Sequence, residues 1–185
     1  MNEHFDHIQA IAQGDRKAFK MLYEIFSNKV YNTAISYVHN EPEAEEITQD
    51  VFTKVFRYAA KFKGESTVNT WIYRITVNTA LNYLKKRKRA AFTTLQEQES
   101  QRPDFEHPGV VLENKEKASF LFKAIETLPE SQKTAFILAF IEGLPRQEVA
   151  QIMDSSLKAI ESLLQRAKKN LRGKLEHFYP HQRKS

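Results

Sequence analysis

Few residues in this chain could make or break bonds. Glu45, Glu46 and Asp50 fall at helical spacing, and their carboxylates could hold a Mg²⁺ ion for chemistry on nucleic acid. That spacing is common on a surface helix, and no second carboxylate cluster accompanies it. His4 and His7 lie three apart near a terminus expected to be mobile, and His39, His107, His177 and His181 are scattered, which is weak evidence for zinc. There is no cysteine, so thiolate nucleophiles, thiolate metal ligands and disulfides are absent. Neither a phosphate-cradling glycine loop nor a nucleophile motif is present. The chain is therefore expected to use no catalytic residue, metal or cofactor.

What remains is recognition chemistry. The stretch TWIYRITVNTALNYLKKRKR, Thr70 to Arg89, ends in five consecutive cations and carries Asn78 and Asn82 in its interior. Interior asparagine costs a helix about half a kcal/mol against alanine. At about 100° per residue, Arg74, Asn78, Asn82, Lys85 and Arg89 form one polar stripe. An asparagine amide both donates and accepts and can read a base edge, while lysine and arginine hold phosphates. The same stripe also fits a solvated helix face whose cationic end suits the helix dipole. A second candidate reader lies near the C-terminus. In RQEVAQIM-DSS-LKAIESLLQRAKKNLRGKL, a short helix, a three-residue turn and a longer basic helix have helix-turn-helix lengths. Lys158, Ser162, Gln165, Arg166 and Lys169 share the face opposite an apolar stripe of Leu157, Ile160, Leu164, Ala167, Leu171 and Leu175. The usual turn glycine is replaced by Asp154 or Ser155.

Helices must position both readers. Residues 18–38 repeat apolar side chains at three and four: Phe19, Leu22, Tyr23, Phe26, Val30, Ala34, Ile35 and Val38. Asn40 and Glu43 have capping-box spacing with Pro42 in the first turn, opening a helix to about residue 60 that buries Ala44, Ile47, Val51, Val55 and Ala59. On the next helix, Tyr73, Val77, Ala80, Leu81 and Leu84 should pack on the two before it, with Trp71, Ile72 and Ile75 as a second apolar patch. Periodicity then fades from Ala91 to about Lys115, a linker with Pro103, Pro108 and Gly109. It resumes at Leu112–Glu126, and a second capping box, Thr127 with Glu130, opens a helix ending at Gly143. Pro145 opens the short helix to Met153. No convincing strand or repeat is present. The expected fold is all-α, two small helical domains joined by a flexible linker.

The chain has 185 residues and a net charge of +5, and 41% of it is hydrophobic, enough for packed cores. Charge is segregated. The nets are −3 for residues 1–60, +7 for 61–90, −5 for 91–154 and +6 for 155–185. Two basic blocks between acidic segments suggest two contacts with a polyanion, or two solvated helix ends. Nothing approaches the roughly 18 apolar residues of a membrane span, and the N-terminus lacks a secretory pattern. A cytoplasmic protein with no membrane insertion is expected.

Two segments, AEEITQDVFTKVFRYAAKFKGESTVNTWIYRITVNTALNYLKKRKR and LPESQKTAFILAFIEGLPRQEVAQIMDSSLKAIESLLQRAKKNL, resemble regions 2 and 4 of the extracytoplasmic-function (ECF) bacterial sigma factors. The resemblance spans about residues 15–90 and 120–176. It implies a region 2 domain at 1–90, a linker at 91–118, a region 4 helix-turn-helix domain at 119–178 and a tail at 179–185. It further implies binding to core RNA polymerase and to promoter DNA, without bond chemistry, and an anti-sigma factor as a partner that is often membrane-tethered. Residues 41–50 hold five acids and no base. Within them and just beyond, the resemblance points to Glu46, Gln49, Asp50 and Thr53 for polymerase docking; an acidic first turn favoured by the helix dipole would look similar. For the minus-ten element it points to Lys63, Val68, Asn69, Arg74, Asn78, Asn82, Lys85, Lys86 and Arg89. For the minus-thirty-five element it points to Ser156, Lys158, Ser162, Gln165, Arg166 and Lys169. Glu161 and Leu163 stand where relatives often carry basic residues. The rival reading is a helix-turn-helix repressor or activator acting without core polymerase, which leaves the asparagine and cation stripe without a purpose.

Overall fold

The computed structural model describes residues 3–93 and 115–178, which fall into two compact units divided at Pro103. All regular structure among the described residues is helical.

In the first unit, α1 (Phe5–Ala12), α2 (Arg16–Val38), α3 (Glu41–Tyr58), a 3₁₀ turn (Ala59–Lys61) and α4 (Val68–Thr93) follow one another. Asp15 caps α2, its Oδ1 accepting from the Lys17 and Ala18 amides at 2.7 and 3.1 Å. Only His39 and Asn40 separate α2 from α3. His39 takes the left-handed conformation (φ 50°), and Asn40 Oδ1 accepts from the Glu43 amide at 3.0 Å. The expected cap therefore forms, but the Glu43 carboxylate turns to Arg87 rather than back to Asn40. Helices α2, α3 and α4 pack mutually, with Ala44, Ile47, Val51 and Val55 of α3 fully buried. Leu22, Phe26 and Ala34 of α2 and Ile72, Val77 and Ala80 of α4 complete the core.

Polar residues share that core. Thr33, Thr48, Thr76 and Thr79 are buried, and each hydroxyl donates to the carbonyl four residues back at 2.7–2.9 Å. This local bond satisfies the donor without a tertiary partner. The apolar stripe of α2 is looser than its pattern. Tyr23 is exposed and Phe19 half-buried; the Phe19 ring packs on Phe52 and Phe56 of α3 at centroid distances of 6.3 and 5.5 Å, and the Tyr23 ring on Phe52 at 4.6 Å. The N-terminus is not the free end its sequence suggests. Ile8 and Ile11 are buried as α1 packs on α2 and the 3₁₀ turn, and the His4 ring meets Phe26 edge-on at 5.5 Å.

In the second unit, α5 (Lys115–Glu126) leads to α6 (Glu130–Phe136), which continues as a π-helical turn (Ile137–Ile141), then α7 (Arg146–Ile152) and α8 (Leu157–Phe178). Helix α8 packs against the other three through Ile160, Leu164, Ala167 and Leu171. The expected capping box does not form. Helix α6 starts only at Glu130, its N-cap is Pro129, and the Thr127 hydroxyl donates to Ala124 O at 2.6 Å, closing α5 instead. Leu157, expected in the apolar stripe, stands at the first position of α8 and is exposed. Gly143 (φ 67°) and Asp154 (φ 49°) take left-handed turn positions, so Asp154 is the residue standing in for the usual turn glycine. Helix α4 runs to Thr93 and α5 begins at Lys115, so helix occupies both ends of the expected linker. The rest of that linker, the start of α5 expected at Leu112, and the tail at 179–185 lie outside the described residues.

Gly64, in the loop before α4, has φ 74°, and a Cβ there would stand 2.9 Å from Cε2 of Phe5. A left-handed side chain alone costs about 1–2 kcal/mol. Gly64→Ala should therefore lower stability by about that amount in a urea titration at unchanged m value; an unchanged midpoint would show that the loop relaxes freely.

Candidate nucleic-acid interface

The candidate reading helix, α4, is anchored at its start. The Thr70 amide donates to Thr67 Oγ1 at 3.0 Å, the two threonine hydroxyls share a 2.9 Å bond, and Thr70 is buried. Val68 is fully buried beside this cap, so it belongs to the core and offers no surface to a DNA base. Trp71 is half-buried and stacks on Phe62 at 4.8 Å, and Phe62 meets Phe5 at 5.9 Å, which makes Trp71 a packing residue. Beyond the anchor the stripe emerges. Asn78, Asn82, Lys85, Lys86 and Arg89 are exposed, as is Lys63 in the loop, while Asn69 and Arg74 are half-buried. The five exposed α4 residues and Lys63 present amides and cations to solvent on one unit.

Glu46, Gln49, Asp50 and Thr53 are all exposed on α3, opposite its buried stripe, and the Thr53 hydroxyl donates to Gln49 O at 2.9 Å. Glu46 and Asp50 also border a cleft of about 340 Å³ whose other wall is α4, with Asn82, Tyr83, Lys86 and Arg87. One wall thus holds the acidic residues expected to dock protein, the other the residues expected to meet DNA. Lys54 lies between them, its Nζ donating to Thr79 Oγ1 at 2.9 Å.

Sequence reasoning missed the residues that hold these walls together. Arg87 Nη1 donates to Glu43 Oε2 at 2.6 Å, tying the middle of the cation run to the first turn of α3. Within five adjacent cations no sequence signal separates Arg87 from its neighbours; only the α3–α4 register does. The Tyr83 hydroxyl is pushed up to about 12, first by burial, then by the charges of Glu43 and Glu46 and its hydrogen bond to Glu46, with Arg87 opposing. Tyr31 is also raised, by burial and then by Glu41 and Glu45.

The second candidate reader folds as a helix-turn-helix, α7–turn–α8. Ser156 Oγ accepts from the Ala159 amide at 3.2 Å and caps α8. Lys158, Ser162, Gln165, Arg166 and Lys169 are exposed, and Arg166 Nε donates to Ser162 O at 3.3 Å. Neighbouring polar residues are used otherwise. Lys168 Nζ sits 4.5 Å over the Phe140 ring, and Asn170 Nδ2 donates to Gln132 Oε1 at 2.9 Å. No group of three metal-ligating side chains occurs among the described residues.

Comparison with known proteins follows the same division. The Sigma-70 region 2 family model matches residues 22–90, and the Sigma-70 region 4 model matches residues 121–171. The chain is 32% identical over 177 residues to an ECF RNA polymerase sigma-E factor of Haemophilus influenzae, covering 91% of this chain and 93% of that one. It is 31% identical to the sigma-E factor of Escherichia coli over 91% of this chain and 92% of that one. It is 30% identical to the RNA polymerase sigma-H factor of Pseudomonas aeruginosa, over 87% and 88%. Among solved structures, CnrH in complex with the cytosolic domain of CnrY is similar in fold, with TM-score 0.70, 18% identity and 94% and 97% of the two chains covered. The sigma factor RpoE in complex with the anti-sigma factor NepR from Bartonella quintana follows, with TM-score 0.67, 23% identity and 86% and 98% covered.

Tyr83 supplies a pH test of the cleft. Between pH 10 and about 12 the unfolded chain releases this proton while the folded chain keeps it, so stability falls as pH rises through that window. In a phenolate absorbance titration, Tyr83→Phe should remove the component ionising near pH 12, and Glu46→Gln should move it downward. Persistence of that component in the phenylalanine variant would assign it to another tyrosine.

Proposed function

The chain belongs to the ECF family of RNA polymerase sigma factors, and we propose on that basis how its two units divide promoter recognition between them. As a sigma factor it binds core RNA polymerase and directs promoter-specific initiation. Residues 1–90 serve as the polymerase-docking and minus-ten domain, 91–118 as the tether, 119–178 as the minus-thirty-five domain and 179–185 as a tail. The observation that carries this division is the pair of exposed amide-and-cation faces, one on α4 and one on α8, in separate units.

Docking uses Glu46, Gln49, Asp50 and Thr53, an exposed face of α3 that suits a partner surface rich in cations. At the minus-ten element, Lys63, Arg74, Lys85, Lys86 and Arg89 hold phosphates, and Asn69, Asn78 and Asn82 read bases on an opened strand. Unpairing a base costs a few kcal/mol, which these hydrogen bonds and polymerase contacts together offset. At the minus-thirty-five element α8 enters the major groove, with Gln165 and Arg166 suited to adenine and guanine, and with Lys158, Ser162 and Lys169 on bases or backbone. Ser156 acts through its cap on α8. The protein makes and breaks no bond itself, and acts in the cytoplasm, where polymerase is; no described helix is long and apolar enough to cross a membrane. An anti-sigma factor is the expected regulator, as the complexes of similar fold suggest by analogy.

Run-off transcription from genomic fragments with core polymerase tests the reading. Discrete transcripts should require the protein; tight binding to duplex DNA without polymerase, and no transcript, would favour the repressor reading. Within the active holoenzyme, Asn78→Ala should reduce permanganate-detected opening about fivefold, the worth of roughly one hydrogen bond, at unchanged affinity for core. Unaltered opening would remove Asn78 from the reader.

A further inference from the structure

Glu161 is the one acidic side chain in the first half of α8, and it lies among the residues assigned to DNA. Its helical position puts it on the flank shared with Lys158, three residues before it, and Gln165, four after. It is half-exposed and outside the apolar stripe of Ile160, Leu164 and Ala167, so it does not serve the core. It lies beyond the first turn, where a carboxylate would stabilise the helix dipole. Its partner is Arg146, at the first position of α7, with Nη1 3.7 Å from Glu161 Oε1. An ion pair this long between two half-exposed side chains adds little stability. What the pair can do is electrostatic and orienting. A carboxylate carried alone into the major groove meets two rows of phosphates; with a guanidinium beside it the repulsion is offset. Arg146 also occupies one oxygen of the carboxylate and leaves the other able to accept.

We propose that Glu161 reads a cytosine in the minus-thirty-five element, accepting from its exocyclic amino group, with Arg146 as the residue that positions and screens it. Carboxylates accept from cytosine N4 in the major groove, and no other base edge there offers an amino donor without an adjacent acceptor. The inference rests on the assignment of α8 as the groove reader. It predicts that the promoters include a cytosine that no lysine, arginine or glutamine would select.

The test is transcription from a promoter library randomised across the minus-thirty-five element, using holoenzyme assembled from core polymerase and full-length protein. The wild-type protein should enrich cytosine at one position. Glu161→Ala should relax that position about tenfold while other positions keep their preference, and Glu161→Gln should shift it toward adenine. Arg146→Met should weaken the cytosine preference without creating a new one, and circular dichroism should show all three variants folded. Replacing that cytosine by N4-methylcytosine should penalise the wild type and leave Glu161→Ala indifferent. The same consensus from wild type and Glu161→Ala, or no enriched cytosine, would overturn the proposal while leaving the reader assignment intact. A library transcribed without preference anywhere in the element would overturn that assignment, and this proposal with it.

Discussion

The burial of one stripe of α3 governs the first unit. Ala44, Ile47, Val51 and Val55 are sealed against α2 and α4, and a helix with one side so committed has only the opposite side left for solvent. That remaining side carries Glu46, Gln49, Asp50 and Thr53. The same packing fixes the rotation of α4, because Ile72, Val77 and Ala80 must meet α3 and α2. Asn78, Asn82 and Lys85 then point outward by geometry. The exposed face of α3 proposed for docking and the exposed face of α4 proposed for reading are thus set by a single shared core. A cavity at Ile47 or Val51 would disturb both.

Close approach of these helices depends on small residues and on threonines that behave as apolar ones. A threonine hydroxyl bonded to its own helix four residues back presents chiefly a methyl group to the neighbour. Thr48 of α3 and Thr76 and Thr79 of α4 do this, and all three are buried. Thr79 also accepts from Lys54, so one hydroxyl serves its own helix and the edge of the cleft. The second unit solves its packing differently. The π turn adds a residue to the helix after Phe136, letting Ile137 and Leu138 stay buried while Phe140 swings out to meet Lys168.

Much of this was legible in sequence where periodicity is long. The 3.6-residue pattern placed α2, α3, α4 and α8 and exposed the polar stripes on α4 and α8. The failures have physical causes. Helix α1 is eight residues long, too short to be stable alone, and tertiary burial of Ile8 and Ile11 orders it. The resemblance points to Val68 for the minus-ten element, but at a loop-to-helix junction sequence cannot distinguish the residue that plugs the core from those that face out. Buried threonines look polar in sequence because their back-bonds are invisible there. The Thr127 and Glu130 pair has capping-box spacing, yet the chain begins α6 after Pro129, and spacing alone cannot decide which of two neighbouring turns claims the hydroxyl.

Arg87 shows how a run of like charges can hold two populations. Its side chain is partly shielded and bonded to Glu43, while Lys86 and Lys88 on either side of it are exposed. Mobile ions screen exposed charges over about 10 Å at 0.1 M salt and reach shielded pairs far less. Binding of the exposed cations to a nucleic-acid backbone releases condensed counterions and so weakens steeply with ionic strength. The Arg87 clasp, already neutralised within the protein, releases none. If this end of α4 binds nucleic acid as proposed, the salt dependence should therefore count fewer charges than the sequence spells out, and strong salt should strip the helix from a polyanion well before it loosens the helix from its own fold.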